Sequence, residues 1–471
     1  MIGMIVCIGA ATTVFITILN LINMGFDLTS GPFLLLVLAD AALVAVPIII
    51  IGLGKTDRNF VLRVVCMALA GLMFFLNIFI SSYLSITNDF LDDQFFTYKQ
   101  KGTVQYSIVA QRSATVELDK GRSVRAGIQS TDNNKTEAEQ ETKRLAAASF
   151  TEFENLSEMI GATEDEAVDI AVVQSALLDS YKEVFPDSYE NLDVLTTFMA
   201  GTKASQASES VTVDITKPFA IYVSGSDVFG DINQVARSDV NILVLIDPEH
   251  YKMMLINTPR DYYVQLHGTS GYKDKLTHAG LMGVDVSEAT MEDLYGLEID
   301  YHVRMNFDTL VNLVDAMGGI VVDNPVAFSI WGNSYGEGEI YLTGDYALMY
   351  VRARKGLAHG DYDRGENQQR VIEALVARIT SPTVVTHYVD IINALGGTFS
   401  SNIPKKAITQ LFSRQITLGG DWSIEKMSAS GFDDKRPTYS MGDLPLDVVI
   451  PDESSLEDIR AAIRDFMLDP S

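Results

Sequence analysis

Cysteine and positive charge are both scarce in this 471-residue chain. Its two cysteines, Cys7 and Cys66, both lie in long apolar stretches near the start. The rest of the chain therefore cannot form disulfide bonds, thiolate metal sites or a cysteine nucleophile. Lys and Arg total 35 against 62 Asp and Glu, which gives a formal net charge of −27. A nucleic-acid-binding protein needs a basic surface to displace counterions, so this balance excludes nucleic acid as a partner.

The net negative charge belongs entirely to the part of the chain that follows residue 88. Residues 1–88 contain three basic and three acidic side chains, which leaves 32 basic and 59 acidic residues for the remainder. Apolar and acidic residues thus occupy separate regions, and a mean hydropathy of +0.14 can coexist with the acidic total. Length alone predicts two or three domains, at about 100–200 residues each.

Three stretches with almost no charge predict a membrane anchor over residues 1–88. Residues 4–26, 32–53 and 62–84 each reach the roughly 20 apolar residues that cross a bilayer as a helix. A cleaved signal peptide would need a basic segment before the first stretch, which is missing. Lys55 and Arg58 place the second loop in the cytoplasm, because positive residues prefer that side. We therefore expect the N-terminus inside and the chain after residue 88 outside.

Asp40 lies in the middle of the second apolar stretch. A charge at that depth is costly, so an acid there predicts one of two situations. Either the residue has a function within the membrane, or it is protonated or paired at a helix–helix contact.

The segment outside the membrane divides into two regions at a small, polar linker over residues 201–210. Before the linker, short alternating runs at 103–109 and 114–118 and a helix-favouring stretch at 136–160 predict a small α/β accessory domain over 89–210. After it, apolar strands alternate with amphipathic helices, which predicts a layered α/β/α sandwich over 211–471. Its expected strands are 219–224, 240–246, 253–257, 302–306 and 320–322. Its expected helices are 286–295, 307–317, 344–351 and 362–379.

Charged residues at the ends of these strands are the first candidates for chemistry. Asp227 follows one strand and Asp239 directly precedes the next. Two carboxylates without nearby Cys or paired His suit a hard cation such as Mg²⁺, although Asp at a strand end is also a common turn or cap residue. Arg260 closes the strand 253–257, at the end where open α/β sheets usually bind ligands. The alternative for Arg260 is a surface turn paired with Asp261.

The richest candidate region spans residues 350–368. In extended geometry Arg352 and Arg354 project to the same side. The helix that follows has an apolar stripe that faces the core. Extended towards the start of the helix, this stripe passes through Gln368, Arg364 and Asp361. Polar groups on a core-facing stripe must find partners or line a cavity. Basic residues at a helix start oppose its dipole unless an anion binds there. These residues predict a pocket suited to pyrophosphate. The alternative is an Arg/Asp salt-bridge network at the rim of the sheet.

Several motifs, in this order, resemble the LytR–CpsA–Psr family of bacterial envelope proteins. Among them are Arg-Ser-Asp-Val-Asn-Ile-Leu-Val at 237–244, Asn-Thr-Pro-Arg-Asp at 257–261 and Asp-Tyr-Asp-Arg-Gly-Glu-Asn-Gln-Gln-Arg at 361–370. The other resembling segments are 226–227, 275–279, 300–307, 315–323 and 342–352. Together they extend over about residues 218–380. Three N-terminal spans with an accessory domain resemble the capsule-associated branch found in streptococcus-like bacteria.

The resemblance implies a phosphotransferase that moves a glycopolymer from polyprenyl pyrophosphate to peptidoglycan through a phosphodiester, with pyrophosphatase activity when water is the acceptor. It implies that Asp227 and Asp239 organise Mg²⁺, that Lys275 and Arg304 match basic family positions and that Asp361 orients an arginine. The residues it implies as pyrophosphate ligands are Arg237, Arg260, Arg352, Arg354, Arg364 and Gln368. We assign catalysis to the same arginines together with Asp239. We also include Lys275, Arg304 and Asp361 in the predicted pyrophosphate site.

The resemblance further implies a multi-pass protein in the plasma membrane of a Gram-positive bacterium, with capsule-assembly proteins as additional partners. Two non-enzymatic alternatives stay open. The pocket could bind a lipid-linked glycan and signal without catalysis, or the chain could be a scaffold for capsule export, with residues 89–200 as the interaction surface. Direct transcriptional control is excluded, because only short loops are expected in the cytoplasm.

Overall fold

The computed structural model describes most of the chain, with gaps at its loops. The described residues are 2–23, 31–53, 60–96, 103–201, 214, 216–226, 228, 230–354, 357–358, 360–381, 384–395, 398–418 and 420–468. Asp227, one of the two predicted magnesium ligands, lies outside them. For Asp361 the backbone is described and the side chain is not.

The predicted anchor forms helices α1 (Ile2–Asn23), α2 (Gly31–Leu53) and α3 (Phe60–Phe96) in the described part of the chain. Among the described residues one helical stretch, Val64–Asp89, is long and apolar enough to cross a membrane. Shorter apolar stretches are Ile8–Asn23 and Val37–Val46. The helices coincide with the expected positions, while the number of spans and their orientation stay predictions.

Asp40 lies at a contact between two of these helices. Nδ2 of Asn77 in α3 donates to Oδ1 of Asp40 over 3.1 Å and to the Met73 carbonyl over 3.0 Å. The Thr17 hydroxyl of α1 donates to the Asn77 carbonyl over 3.3 Å. The paired alternative for Asp40 is therefore the one that the structure shows.

The accessory domain is built on a single sheet of the described residues. Its strands are β1 (Thr103–Gln111), β2 (Ser123–Gln129), β3 (Ala147–Phe153), β4 (Ile170–Gln174) and β5 (Leu192–Gly201). Its helices are α4 (Lys135–Leu145), α5 (Leu156–Glu164), α6 (Ser175–Val184) and α7 (Pro186–Tyr189). The strand order is β3-β2-β4-β1-β5, with β2 parallel to β3 and β4, and β1 antiparallel to β4 and β5.

The helix-favouring stretch 136–160 is not continuous. Its middle forms β3, which pairs with β2 in a parallel register from Ser123↔Ala147 to Gln129↔Phe153. The run 114–118 forms no strand. Helix propensity is a weak preference, and the backbone hydrogen bonds available at the open edge of β2 outweigh it here.

The rest of the chain forms the second domain. Its first strands are β6 (Phe219–Ser226), β7 (Ser238–Asp247), β8 (Lys252–Asn257), β9 (Tyr263–Val264) and β10 (Asp274–Lys275). They are followed by α8 (Leu276–Ala279), α9 (Val284–Tyr295), β11 (Tyr301–Met305), α10 (Phe307–Ala316), β12 (Ile320–Asn324), β13 (Phe328–Ile330), β14 (Asn333–Tyr335), β15 (Gly338–Leu342) and α11 (Gly344–Arg352). The last elements are α12 (Asp361–Ile379), α13 (Val384–Leu395), β16 (Phe399–Ser401), α14 (Lys405–Leu418), β17 (Ser423–Ser428), β18 (Gly431–Thr438), β19 (Gly442–Pro451) and α15 (Glu453–Leu468).

A mixed sheet in the order β16-β11-β6-β7-β8-β17 forms the centre of this domain. Strand β7 is antiparallel to both of its neighbours, β6 and β8. Strand β11 runs parallel to β6, and β17 runs parallel to β8. Alternate side chains of the sheet pack on opposite faces. Tyr222 packs in a hydrophobic cluster with residues of α9 and α15, and Ile221 packs in another cluster with residues of α12 and α14. The mixed α/β fold, with helices on both faces, agrees with the prediction.

The second domain shares contacts with both of the others. Leu156 and Leu177 of the accessory domain lie in one hydrophobic cluster with Leu281 and with Leu446 and Val448 of β19. In a separate contact, Leu84 of α3 packs against Phe399 of the edge strand β16. A hydrophobic cluster that draws on two domains favours their moving as one unit.

Candidate functional site

The candidate site lies at one edge of the central sheet and is centred on Asp239. Because β7 and β8 are antiparallel, the start of β7 and the end of β8 lie at the same edge. Arg260, just after β8, donates from Nη1 to Oδ2 of Asp239 over 2.7 Å. The hydroxyl of Thr277 donates to the other carboxylate oxygen over 3.0 Å. Two residues predicted from separate motifs are thus in direct contact.

Three predicted arginines surround this carboxylate. Burial raises the pKa of Asp239, but the guanidinium groups of Arg260, Arg237 and Arg364 together hold that pKa below its usual value. Asp239 is therefore ionised at neutral pH. The structure brings together arginines that the sequence separates by more than 100 positions.

Arg364 reaches the site because α12 approaches the end of β8 very closely. A Cβ atom on Gly365 would overlap the buried side-chain amide of Asn257, so glycine permits this close approach. Arg364 and Gln368 are buried, with exposed fractions of 7% and 8%. The predicted continuation of the apolar stripe through these two polar residues is confirmed. The other end of the stripe differs, because Ile379 is 44% exposed.

A second carboxylate, Asp261, lies beside the first. It accepts a hydrogen bond from Nζ of Lys275 over 2.9 Å and lies 3.6 Å from Nε of Arg260. Burial raises the pKa of Asp261, but Lys275 and Arg260 outweigh burial and lower that pKa to about 2. The Arg260–Asp261 pair is therefore mostly buried, with side-chain exposures of 13% and 15%, rather than a surface turn. Sequence reasoning had not included Asp261 among the site residues.

Arg352 is held between two aromatic rings. It is the last residue of α11, and the extended backbone expected for 350–354 begins only at Ala353. Its guanidinium carbon lies 4.6 Å from the ring centre of Phe307 and 5.6 Å from that of Trp331. Trp331 is 60% exposed and has a φ of +48°, a conformation in which a large side chain is strained. No charge pattern marked these two aromatic residues as partners of an arginine.

Arg354 lines an open cavity of about 920 Å³ next to Asp261. Tyr362 of α12 and residues of the β18–β19 hairpin, including Asp433 and Lys435, form other parts of its wall. Arg304 lies differently: its Nη2 donates to the Gln234 carbonyl over 2.8 Å, in the loop that precedes Arg237. This hydrogen bond indicates that Arg304 stabilises the loop that carries Arg237. Its predicted contact with pyrophosphate stays a prediction.

Charged side chains of both signs are concentrated at this end of the sheet. Among the described side chains, five cationic groups lie around the carboxylates of Asp239 and Asp261. They are Arg237, Arg260, Lys275, Arg354 and Arg364. The salt-bridge network that was the alternative to an anion pocket is present in the pairs of Arg260 with Asp239 and of Lys275 with Asp261, so both interpretations stay open. Guanidinium groups match phosphate oxygens in pairs, and binding of pyrophosphate by these arginines stays a prediction.

Magnesium would be held by Asp239 together with Asp227. The described residues contain no group of three or more His, Cys, Asp or Glu side chains that could form a metal site. The ionised oxygens of Asp239 are hard ligands of the kind that Mg²⁺ prefers, and Mg²⁺ often uses one or two protein carboxylates together with substrate phosphates. The donor chemistry fits, and metal binding stays a prediction.

Arg237 also reaches the accessory domain. Its Nη1 donates to the Ser180 hydroxyl over 3.2 Å and lies 3.8 Å from Oε2 of Glu183. Both partners belong to α6, a region to which the sequence pattern assigned no chemistry.

The fold and the site together define an α/β protein with a cluster of arginines around Asp239 at one end of the inner strands of a mixed sheet. The chain belongs to the LytR_cpsA_psr family, whose model matches residues 190–443. The expected resemblance to this family is thereby confirmed.

Two curated relatives each match about half of the chain. The polyisoprenyl-teichoic acid–peptidoglycan teichoic acid transferase TagU of Bacillus mycoides is 30% identical over 233 residues, which are 49% of this chain and 75% of that protein. TagU of Halalkalibacterium halodurans is 30% identical over 257 residues, which are 54% of this chain and 81% of that protein.

Among solved structures, B. subtilis TagV has 30% sequence identity and a TM-score of 0.46, and the match covers 54% of this chain and 98% of TagV. TagT bound to LI-WTA has 24% identity and a TM-score of 0.44, with coverages of 56% and 98%.

Proposed function

We propose that this chain is a membrane-anchored phosphotransferase that attaches a glycopolymer, carried on polyprenyl pyrophosphate, to peptidoglycan through a phosphodiester. The observation that carries the proposal is the convergence of Arg237, Arg260 and Arg364 on the single carboxylate of Asp239. The names of the TagU relatives, as teichoic acid transferases acting on peptidoglycan, support the same reaction class. The polymer that we propose is a capsular polysaccharide, in keeping with the predicted anchor and accessory domain. The domain with the site would face the cell wall, outside the plasma membrane.

In this reaction the arginines hold the pyrophosphate and neutralise its charge. A hydroxyl oxygen of peptidoglycan forms a bond to the sugar-proximal phosphorus, and the bond from that phosphorus to the bridging oxygen breaks. Polyprenyl phosphate leaves with the electron pair. The hydroxyl proton passes to a carboxylate of the site, for which Asp239 and Asp227 are the two candidates; the lowered pKa of Asp239 keeps it ionised and makes it a weak base. When bound by Asp239 and Asp227, Mg²⁺ supplies further positive charge to the phosphate oxygens.

Positioning and charge stabilisation supply most of the catalysis in such transfers. The burial of Arg364 and the contact between Arg260 and Asp239 keep both guanidinium groups in place before substrate arrives. With water in place of the sugar hydroxyl, the same arrangement would act as a pyrophosphatase.

The test uses the full-length protein in nanodiscs, with polyprenyl pyrophosphate-linked glycan, Mg²⁺ and peptidoglycan fragments. We expect a polymer–phosphate–peptidoglycan product that mass spectrometry detects, and a loss of roughly a hundredfold or more in turnover for Arg260→Ala and Arg364→Ala. Arg112→Ala is the matched control, because that arginine is exposed and pairs with Asp193 in the accessory domain. If both site variants bind and turn over substrate like the wild type, the pocket assignment is wrong. Binding without any turnover would favour the sensor alternative.

A further inference from the structure

The accessory domain touches the proposed pyrophosphate site at one of its arginines. The guanidinium of Arg237 is largely buried, with a side-chain exposure of 13%, and its Nη1 donates to the Ser180 hydroxyl over 3.2 Å. That hydroxyl donates its own proton to the Ala176 carbonyl over 3.1 Å, so that its lone pairs face the arginine. The Glu183 carboxylate, one turn further along α6, lies 3.8 Å from the same Nη1 atom and is 64% exposed.

The loop that carries Arg237 is held by both domains. The Thr103 amide of β1 donates to the Asn233 carbonyl over 3.1 Å, and the Val235 amide donates to the Thr103 carbonyl over 2.7 Å. The Val235 side chain packs against the hydrophobic cluster of the accessory sheet. Arg304 of the central sheet donates to the carbonyl of Gln234, which lies between these two residues. The backbone before Arg237 is thereby tied to the accessory sheet on one side and to β11 on the other.

Helix α6 is firmly placed relative to the site. Leu177 and Leu178, in the turn before Ser180, are buried in the hydrophobic cluster that includes Leu281, Leu446 and Val448 of the other domain. Interiors packed in this way resist small displacements, because a shift would open cavities on both sides. The distance from Ser180 to Arg237 is therefore set by the packing of the two domains.

We infer that α6 belongs to the pyrophosphate site as a positioning element, in which Ser180 orients the Arg237 guanidinium and Glu183 competes with phosphate for it. This inference rests on the proposed function, and it assigns to the accessory domain a part in the reaction. Neither side chain needs to touch substrate, since both act through Arg237.

The two residues have opposite effects on anion binding. A hydrogen bond from a guanidinium to a fixed hydroxyl restricts a long side chain to one orientation before the anion arrives, which favours binding. A carboxylate near the same guanidinium attracts it and must be displaced by the incoming phosphate, which opposes binding. Because Glu183 is mostly exposed, solvent screens its attraction, and its effect is the smaller of the two.

The experiment measures binding of inorganic pyrophosphate to the full-length protein in nanodiscs by titration calorimetry, together with turnover of the lipid-linked glycan. We expect Ser180→Ala to weaken pyrophosphate binding by roughly tenfold. We expect Glu183→Gln to tighten binding by about two- to fivefold at low salt, and by less as salt is raised. Glu139→Gln is the matched control, because Glu139 pairs with Lys143 on α4. This substitution should leave pyrophosphate binding unchanged.

A double-mutant cycle tests whether the effects pass through Arg237. In an Arg237→Ala background, we expect both substitutions to lose their influence on the dissociation constant, because the group they act on is gone. Circular dichroism and thermal melting of each variant establish that it is folded.

Opposite signs distinguish positioning from simple damage to the structure. If Ser180→Ala and Glu183→Gln both weaken binding, both leave it unchanged, or keep their effects without Arg237, the inference is overturned. If the binding changes appear as expected but no lipid-linked substrate is turned over, the proposed reaction fails while the role of α6 stands. If the wild type turns over its substrate and the variants behave like it, only the role of α6 fails.

Discussion

Replacement of Asp261 by asparagine tests how strongly the cations of the site depend on buried carboxylates. Asp261 lies 2.9 Å from Nζ of Lys275 and 3.6 Å from Nε of Arg260, and all three side chains are at most 15% exposed. Asparagine keeps the size and shape of the side chain but removes its charge. Two largely buried cations then lose a counter-charge, which the protein interior cannot replace as water would.

The expected loss follows from the displaced pKa. The folded protein holds the pKa of Asp261 at about 2, against an ordinary value of 3.8. A difference of this size corresponds to about 2 kcal/mol of stability at neutral pH. Because the pKa is lower in the folded state, this contribution is complete above the unfolded value. It is lost as the pH falls from about 4 through about 2.

The assay is equilibrium unfolding by urea of the full-length protein, with the wild type and Asp261→Asn compared at several pH values from 7 to 2.5. We expect Asp261→Asn to be less stable by about 2 kcal/mol at pH 7, with a difference that shrinks steadily below pH 4. Asp433→Asn, a substitution of an exposed residue on β18, is the control and should change stability by less than about 0.5 kcal/mol. A difference that is equally large at pH 7 and pH 2.5 would refute the electrostatic explanation.

Three further predictions concern the aromatic residues, the close helix contact and the metal. Trp331→Ala removes one of the two rings that flank Arg352, so pyrophosphate binding measured by calorimetry should weaken by roughly two- to fivefold, while Phe432→Ala, at another exposed aromatic residue, should have no effect. Equal affinities for the two variants would contradict a role for the ring. Gly365→Ala should lower the free energy of unfolding by about 1–3 kcal/mol and reduce turnover, because its methyl group meets Asn257 of β8. In the control Gly161→Ala the methyl group meets nothing within 4 Å in α5, so turnover should be unchanged and the free energy of unfolding should rise by up to about 1 kcal/mol. EDTA should abolish turnover in the transfer assay and excess Mg²⁺ should restore it; full activity in EDTA would exclude the metal.

The five strands and four helices expected in the second domain from local patterns are all present, and the other elements of that domain were not predicted. The expected strand 240–246 lies within β7, and the expected helix 362–379 within α12, because burial on one stripe or on both faces leaves a periodic apolar signal. The same periodicity placed Arg364 and Gln368 on the buried side of α12. In the accessory domain the local pattern predicted the wrong structure for part of the chain, because β3 lies inside a stretch that favours helix. This strand forms because β2 offers it a hydrogen-bonding partner.

The sequence by itself determined the separation of an apolar N-terminal region from an acidic remainder, the α/β pattern and the residue types that a predicted anion site requires. Each of these is a property of neighbouring positions along the chain. The tertiary structure decided which groups meet: Arg260 with Asp239, Lys275 with Asp261, Arg352 with Trp331, and Arg237 with Ser180, from which it is 57 positions distant. Such partners are brought together by the packing of sheets and helices, and no local pattern encodes a distance between residues that only the folded chain makes neighbours.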